Sequence, residues 1–152
     1  MIPRIYIDTS VIGGCFDPEY QAESIQLWSE FKAKKKALVV SDLVLLELEE
    51  APKRVRELLD ELPAESVEYA ALDEESIALA NAYLQDGAVA ESSLADARHI
   101  AIATVARVDV LVSWNFKHIV NLNRIRRFNA VNLKTGYAPI EIRSPREVLS
   151  EE

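Results

Sequence analysis

Short apolar runs alternate with longer amphipathic stretches along most of this chain. Arg4–Asp8 is a short apolar run that ends in a carboxylate, and Ala37–Val40 and Val110–Val112 are equally apolar, so all three are predicted as buried strands. Gln21–Phe31 places apolar residues at three-residue spacing, which predicts a helix with one buried face. Further helices are predicted over Asp42–Glu50, Pro52–Glu61, Asp73–Leu84, Val120–Asn132 and a segment capped by Ser92 or Ser93 that runs to Ala106, and further strands over Ser66–Glu68 and Ile140–Ile142.

Short strands that alternate with helices favour an α/β fold. We expect an α/β/α sandwich around a central, mostly parallel sheet of about four or five strands. The chain has 152 residues, with no repeat and no long linker, so residues 1–152 are predicted to form a single domain. In sheets of this kind, ligands bind beyond the carboxyl ends of the strands, so polar residues at those ends become candidates for function.

Composition narrows the class of protein. Apolar residues make up 49% and charged residues 28%, which excludes a disordered chain. Cys15 is the only cysteine, so neither an intramolecular disulfide nor a cysteine-based zinc site is expected, which fits a cytoplasmic protein. No apolar run approaches the roughly 20 residues of a membrane span, and we expect neither a signal peptide nor membrane association.

The charges are divided unevenly along the chain. The formal net charge of −8 argues by itself against a nucleic-acid partner, because phosphates are neutralised by Lys and Arg. However, residues 41–96 hold 15 acids and 3 bases, whereas residues 107–146 hold 8 bases and 2 acids. One part of the molecule is therefore basic in spite of the total.

Five polar residues lie where the apolar pattern predicts strand ends or buried helices. Asp8 ends the first strand, Glu47 is flanked by leucines on a helix, and Asp96 opens the most apolar helix. Ser113 and Asn115 follow a core strand two residues apart, so both side chains leave on the same side. Each has an ordinary explanation when taken alone, such as a turn cap, a solvent-facing helix position or a favourable charge in the first turn of a helix.

Together these residues indicate a metal site. Three carboxylates at one edge of a sheet would repel one another and raise one another's pKa, and a divalent cation removes that penalty. Oxygen ligands without a cysteine or a histidine pair favour Mg²⁺ or Mn²⁺. Such sites typically hydrolyse phosphodiesters. His99, one turn beyond Asp96, fits a structural histidine better than a ligand.

Four short motifs, in this order and spacing, resemble the PIN-domain family. They are Ile7-Asp8-Thr9-Ser10, Leu45-Leu46-Glu47-Leu48, Asp96-Ala97-Arg98-His99-Ile100-Ala101 and Leu111-Val112-Ser113-Trp114-Asn115-Phe116. The resemblance runs from Ile5 to about Val148 and is strongest to the small VapC-like toxins. It implies a metal-dependent endoribonuclease that cleaves single-stranded or structured RNA. It also implies the toxin of a type II toxin–antitoxin pair, with a cognate antitoxin and a homodimeric state.

The resemblance also implies roles for individual residues. Asp8, Glu47 and Asp96 match the leading acids that hold the metal, and Ser113 matches a Ser/Thr position of the site. Asn115 stands where the family has a fourth acid, so it would be a neutral oxygen ligand and a second metal would bind more weakly. In the implied mechanism the metal activates a water, Asp8 or Asp96 accepts its proton, and Ser113 and Asn115 orient the water or the metal shell.

The segment that follows Asn115 is the candidate RNA-binding surface. Its basic residues, which could follow a phosphate backbone or simply form a solvated helix face, are Lys117, His118, Arg124, Arg126 and Arg127. Amides that could read unpaired bases, or simply occupy the protein surface, are Asn121, Asn123, Asn129 and Asn132.

Two other functions remain open. The neutral Asn115 leaves room for a catalytically weak PIN domain that binds RNA or a protein. A flavodoxin-like domain for a small molecule is the other, but it needs a glycine-rich phosphate loop, and the first strand is followed only by Gly13-Gly14.

Overall fold

The central sheet is parallel throughout. A computed structural model of the chain describes residues 1–150. Its strands are β1 (Arg4–Ile7), β2 (Ala37–Ser41), β3 (Val67–Ala70), β4 (Val110–Val112) and β5 (Ile142–Arg143). They are ordered β3-β2-β1-β4-β5, and every neighbouring pair is parallel. The prediction of an α/β/α sandwich on a mostly parallel sheet of four or five strands is confirmed.

Helices connect the strands. They are α1 (Thr9–Gly14), α2 (Gln21–Lys32), α3 (Asp42–Leu48), α4 (Lys53–Arg56), α5 (Glu74–Gln85), α6 (Leu94–Val105), α7 (Leu122–Lys134) and α8 (Pro145–Val148). Helix α6 is buried on most of its surface, as its apolar composition predicts. Across residues 1–150, no helix has the length and apolar character needed to cross a membrane.

The helix boundaries differ from the predicted ones where side chains cap or interrupt the backbone. Ser41, rather than Asp42, caps α3, because the Ser41 hydroxyl accepts the Val44 amide at 3.2 Å. The single helix predicted over 52–61 is a short α-helix that continues as 3-10 turns. Asp73 caps α5 as predicted, in a reciprocal capping box with Ser76.

The last strand begins later than the predicted Ile140–Ile142. The Asn129 side chain accepts the Ile140 amide at 2.7 Å and donates to the Ile140 carbonyl at 3.1 Å. Because both backbone groups of Ile140 are bonded to this side chain, the strand starts only at Ile142.

The strand order locates the crevice in which a ligand would bind. The chain proceeds from β1 outward to β2 and β3, then returns to the other side of β1 to form β4 and β5. The topological switch point therefore lies between β1 and β4, and ligands in open parallel sheets bind outside the carboxyl ends of the strands at this point. Asp8 directly follows β1, and Ser113 directly follows β4.

Candidate active site

Asp8 is a buried carboxylate held by two hydroxyl groups. It is only 5% exposed, and it occupies the N-cap position of α1 without making a side-chain cap. Ser10 Oγ donates to its Oδ1 and Ser113 Oγ to its Oδ2, both at 2.6 Å. Burial raises the Asp8 pKa in spite of the opposing effects of His99 and the two hydroxyls. The capping explanation of Asp8 therefore fails, because the carboxylate is bound by residues of the crevice instead.

The same two hydroxyls fix the loop after β4. Ser10 Oγ accepts the Trp114 amide at 3.0 Å, and Ser113 Oγ accepts the Asn115 amide at 2.9 Å. Each hydroxyl thus donates to Asp8 and accepts from the backbone of this loop. Helix α1 and the loop are consequently held against each other, with the carboxylate between them. Local sequence pattern indicates no role for Ser10, which stands only two residues after Asp8.

Glu47 faces the same crevice from α3. Its Oε1 accepts Thr9 Oγ1 and forms a hydrogen bond with His99 Nε2, both at 2.7 Å. Burial acts to raise the Glu47 pKa, but the bonds to His99 and Thr9 outweigh it and hold the pKa below its usual value. The side chain is 34% exposed, and within residues 1–150 its Oε2 makes no hydrogen bond. One carboxylate oxygen is therefore anchored, and the other is left for a ligand.

His99 connects Glu47 to the core of the sheet. Its ring is nearly buried, and Nδ1 lies 2.7 Å from the Tyr6 hydroxyl, which in turn lies 2.7 Å from Ser41 Oγ. This hydrogen-bond chain begins at the cap of α3 and returns to Glu47 on the same helix. His99 is therefore bonded within the protein, in agreement with its interpretation as a structural histidine, and it also orients a candidate ligand. A tyrosine inside the buried strand β1 was the available sequence signal for such a partner.

Asp96 completes the set from the first turn of α6. It is half-buried, and its pKa is raised first by burial and then by the charge of Asp8. Asn115 Nδ2 donates to Asp96 Oδ1 at 3.3 Å, while Asn115 Oδ1 accepts the His118 amide at 2.9 Å. The His118 amide settles which end of the Asn115 side chain is the oxygen. Asn115 therefore offers Asp96 a hydrogen-bond donor, and its role as an oxygen ligand stays a prediction that needs the amide to turn.

The chemistry of these side chains fits a hard divalent cation. The charges of Asp8, Glu47 and Asp96 act on one another, and each carboxylate keeps acceptor capacity beyond the bonds described here. Among residues 1–150, however, no three His, Cys, Asp or Glu side chains are grouped closely enough to hold a metal. The donor types thus suit Mg²⁺ or Mn²⁺, whereas the spacing of the three carboxylates is more open than a coordinated site requires.

The predicted RNA-binding residues differ in how they are engaged. Lys117 and Arg126 are exposed, and His118 is half-buried beside Asp96. Arg124 Nη1 donates to the Ala88 carbonyl at 2.6 Å, and Arg127 Nη1 donates to the Gly87 carbonyl at 3.0 Å. These two arginines also stabilise the turn before α6, and the binding of RNA by the segment stays a prediction.

Three of the four amides named as possible base readers are occupied by structural bonds. Asn121 caps α7, Asn129 holds Ile140, and Asn132 is fully buried with its Oδ1 accepting the Tyr83 hydroxyl at 2.5 Å. For Asn129 and Asn132 the interpretation as base readers is wrong, because both ends of each side chain satisfy backbone and core groups. Asn121 uses its Oδ1 for the cap, and base reading by its Nδ2 stays a prediction. Asn123 is exposed at the start of α7.

Comparison with solved structures identifies the architecture. No family model matches the sequence, and no curated protein matches it significantly. VapC20 of Mycobacterium tuberculosis, described as a sarcin–ricin loop cleaving toxin, superposes with a TM-score of 0.58 over 90% of this chain and 98% of its own. The chain has a PIN-like fold.

Two further structures with the PIN-like fold extend the match. DNA-bound VapBC of Salmonella typhimurium gives a TM-score of 0.56 over 95% of this chain and 99% of its own. FitAB bound to the IR36 DNA fragment gives 0.54 over 97% and 99%. Each of the three is only 15% identical to this chain, so the PIN-like match establishes the fold and not the activity.

Proposed function

We propose that this chain is a divalent-metal-dependent endoribonuclease that hydrolyses phosphodiester bonds of RNA, with Mg²⁺ or Mn²⁺ as its cofactor. The observation that carries the proposal is the placement of Asp8, Glu47 and Asp96 around the switch point of a PIN-like sheet, although their spacing is more open than that of a coordinated site. The pKa values of Asp8 and Asp96 are raised, chiefly by burial; the charge of Glu47 adds to both shifts, and the charge of Asp8 adds to that of Asp96. Carboxylates in this state favour a bound cation.

The protein's own groups have distinct roles in this proposal. Asp8, Glu47 and Asp96 would hold the ion, Ser10 and Ser113 keep Asp8 in one orientation, and a bound ion would supply activation of water and stabilisation of negative charge on the phosphate. In this proposal Asp96 accepts the proton of the attacking water, because its Oδ2 makes no hydrogen bond within residues 1–150 and is free to take it. Asn115 orients Asp96 through its amide N–H.

The test is cleavage of a labelled single-stranded RNA with and without Mg²⁺ or Mn²⁺. Asp96→Asn should abolish cleavage, since it removes both a ligand and the base. Asp109→Asn is the matched control, because Asp109 lies at the opposite end of β4 and binds the Arg4 amide at 2.7 Å. Full activity of Asp96→Asn, or cleavage that persists in a metal chelator, would contradict the proposal.

We further propose that the protein is the toxin of a type II toxin–antitoxin pair, acting in the cytoplasm as a homodimer with a cognate antitoxin. The support is its structural likeness to a protein described as a toxin and to VapBC and FitAB. Expression should arrest growth, and co-expression of the neighbouring gene's product should relieve the arrest. Growth unaffected by an enzyme that is active in vitro would contradict the toxin role without affecting the nuclease proposal.

Asn115 favours a second candidate, a catalytically weak PIN domain that binds RNA or a protein. With an amide in place of a fourth acid, the crevice carries one negative charge fewer. The two candidates separate in the same cleavage assay, since this alternative requires RNA to bind the wild-type chain without metal-dependent cleavage.

A further inference from the structure

A cleft opens beside the candidate active site, between α1 and the loop after β4. It has a volume of about 370 Å³, within the range of about 300–1,000 Å³ typical of small-ligand sites. Its lining includes Ser10, Gly13, Gly14, Tyr20, Trp114 and Asn115. Ser10 also binds Asp8, and Asn115 also binds Asp96. We call this space the α1 cleft; a group bound in it lies next to the carboxylates.

One wall of the α1 cleft is aromatic and held in place without a ligand. Tyr20 stacks on Trp114 with ring centroids 4.3 Å apart and planes 23° from parallel. The Trp114 indole N–H donates to Ser24 Oγ at 2.8 Å, and its backbone amide donates to Ser10 Oγ at 3.0 Å. Trp114 is only 4% exposed and has the Arg146 guanidinium 5.3 Å from its ring centroid, so the accessible ring of this wall is the half-buried Tyr20. A preformed aromatic wall suits a planar ring, because unpaired bases often stack on aromatic side chains.

The part of the cleft lining that belongs to α1 contains two glycines with different roles. A Cβ at Gly14 would lie 2.6 Å from Ser24 Oγ and 2.8 Å from Trp114 Nε1, so only glycine lets α1 approach the tryptophan this closely. A Cβ at Gly13 would meet no atom within 4 Å. Gly13 therefore borders open space in the α1 cleft, and we expect a larger side chain at this position to extend into that space.

The charge of the lining favours a base over a phosphate. The one charged residue that lines the α1 cleft in the described structure is Asp17, which is exposed and acidic. Arg146, whose guanidinium lies 5.3 Å from the Trp114 ring, does not line the cleft and is paired with Glu23 at 2.8 Å. A phosphate in the cleft would therefore meet the Asp17 carboxylate, whereas a neutral base meets aromatic and backbone surface. We infer that the α1 cleft binds one unpaired nucleobase of the RNA, next to the phosphate that is cut. The inference rests on the proposed nuclease function.

A binding cycle between protein and RNA tests the inference. The probes are a labelled single-stranded 2′-O-methyl RNA and versions of it with an abasic residue at each position in turn, titrated in Mg²⁺ and checked for integrity afterwards. For the wild-type chain, one abasic position should weaken binding by about tenfold, as expected from the loss of one stacked base. Gly13→Leu should weaken binding of the intact probe to the same extent, and the abasic residue should then have no further effect.

Graded and remote variants serve as controls. Gly13→Ala should lie between the wild-type chain and Gly13→Leu, and Ala78→Leu, which places the same side chain on the exposed surface of α5, should bind like wild type. The result that would overturn the inference is an abasic residue that weakens binding to wild type and to Gly13→Leu by the same factor at every position. Failure of the intact probe to bind would overturn it as well. Cleavage of the matching unmodified RNA is measured in parallel. Cleavage without the Gly13-dependent abasic effect rejects the base site and leaves the nuclease proposal intact. The abasic effect without cleavage supports base binding in the α1 cleft but rejects the nuclease, and with it the position next to a cut phosphate.

Discussion

Replacing Asn115 by aspartate would place a fourth carboxylate against Asp96. Asn115 Nδ2 lies 3.3 Å from Asp96 Oδ1, so the substitution exchanges a hydrogen-bond donor for a negative oxygen at nearly the same position. Without metal the variant should be less stable than wild type, because two like charges face each other in a half-buried crevice. With metal it should gain more stability than wild type, because the added oxygen is a ligand.

The separation of the two groups sets the size of the effect. Two unit charges about 4 Å apart near a protein surface interact by about 4 kcal/mol, and partial exposure of Asp96 reduces this to about 2–4 kcal/mol. For a chain of this length, each kcal/mol shifts Tm by roughly 2–4 °C, so Asn115→Asp should melt about 5–15 °C lower in a chelator. Mn²⁺ at a hundred times its Kd should return about 2.7 kcal/mol.

Thermal unfolding in EDTA and in a Mn²⁺ series is the assay. Asn121→Asp is the matched control, since it makes the same charge change at the cap of α7, where aspartate caps as well as asparagine. Equal stability of Asn115→Asp and Asn121→Asp in EDTA would refute the expected repulsion between residue 115 and Asp96. If Mn²⁺ stabilises Asn115→Asp no more than it stabilises wild type, the added carboxylate is not a metal ligand.

Three further perturbations test the electrostatics of the fold and the site. Burial raises the Asp8 pKa, so the folded protein loses stability as pH rises from the ordinary aspartate value of about 3.9 through the raised folded pKa. Asp8→Asn should therefore be more stable than wild type at pH 8 in EDTA. In a pH series of urea unfolding, this advantage should shrink towards pH 4. His99→Leu removes the bond that orients Glu47 and should weaken Mn²⁺ binding by about 10–100-fold in calorimetry, whereas His99→Gln should recover part of it; equal affinities would show that His99 does not position Glu47. Glu30→Gln leaves Lys36 buried without its ion-pair partner and should lower the free energy of unfolding by about 3–5 kcal/mol in urea. Adding Lys36→Met should restore most of that stability. A Glu30→Gln variant as stable as wild type would show that the pair contributes little.

The layered architecture could be predicted from the chain because each element has its own local signal. β1 and β4 are short buried runs, and the interior position of α6 follows from its apolar surface on nearly every side. The sheet edge that carries Asp8 and Ser113 was predictable for the same reason, since both residues follow strands directly. Helix α1 is six residues long and contains two glycines, which disfavour helices, so local propensity did not reveal it.

The contacts that shape the candidate site could not be predicted, because they join residues far apart in the chain. Ser113 and Asp8 are separated by 105 positions, and His99 and Tyr6 by 93. Local pattern identifies His99 as a buried ring but not which groups its two nitrogens meet. The partner of Arg124 could not be predicted either, because its bond to the Ala88 carbonyl forms only when α7 packs beside the turn before α6.

The sequence by itself determined the periodicity of the elements, and hence a parallel sheet with carboxylates at its carboxyl edge. Hydrophobic spacing and residue type act over a few residues, so these features can be predicted from the sequence. Tertiary structure alone decided that Ser10 binds Asp8, that Asn115 offers Asp96 an N–H rather than an oxygen, and that an aromatic cleft opens beside both carboxylates. Those outcomes depend on side-chain orientation and on the approach of distant segments, which only the packed fold defines.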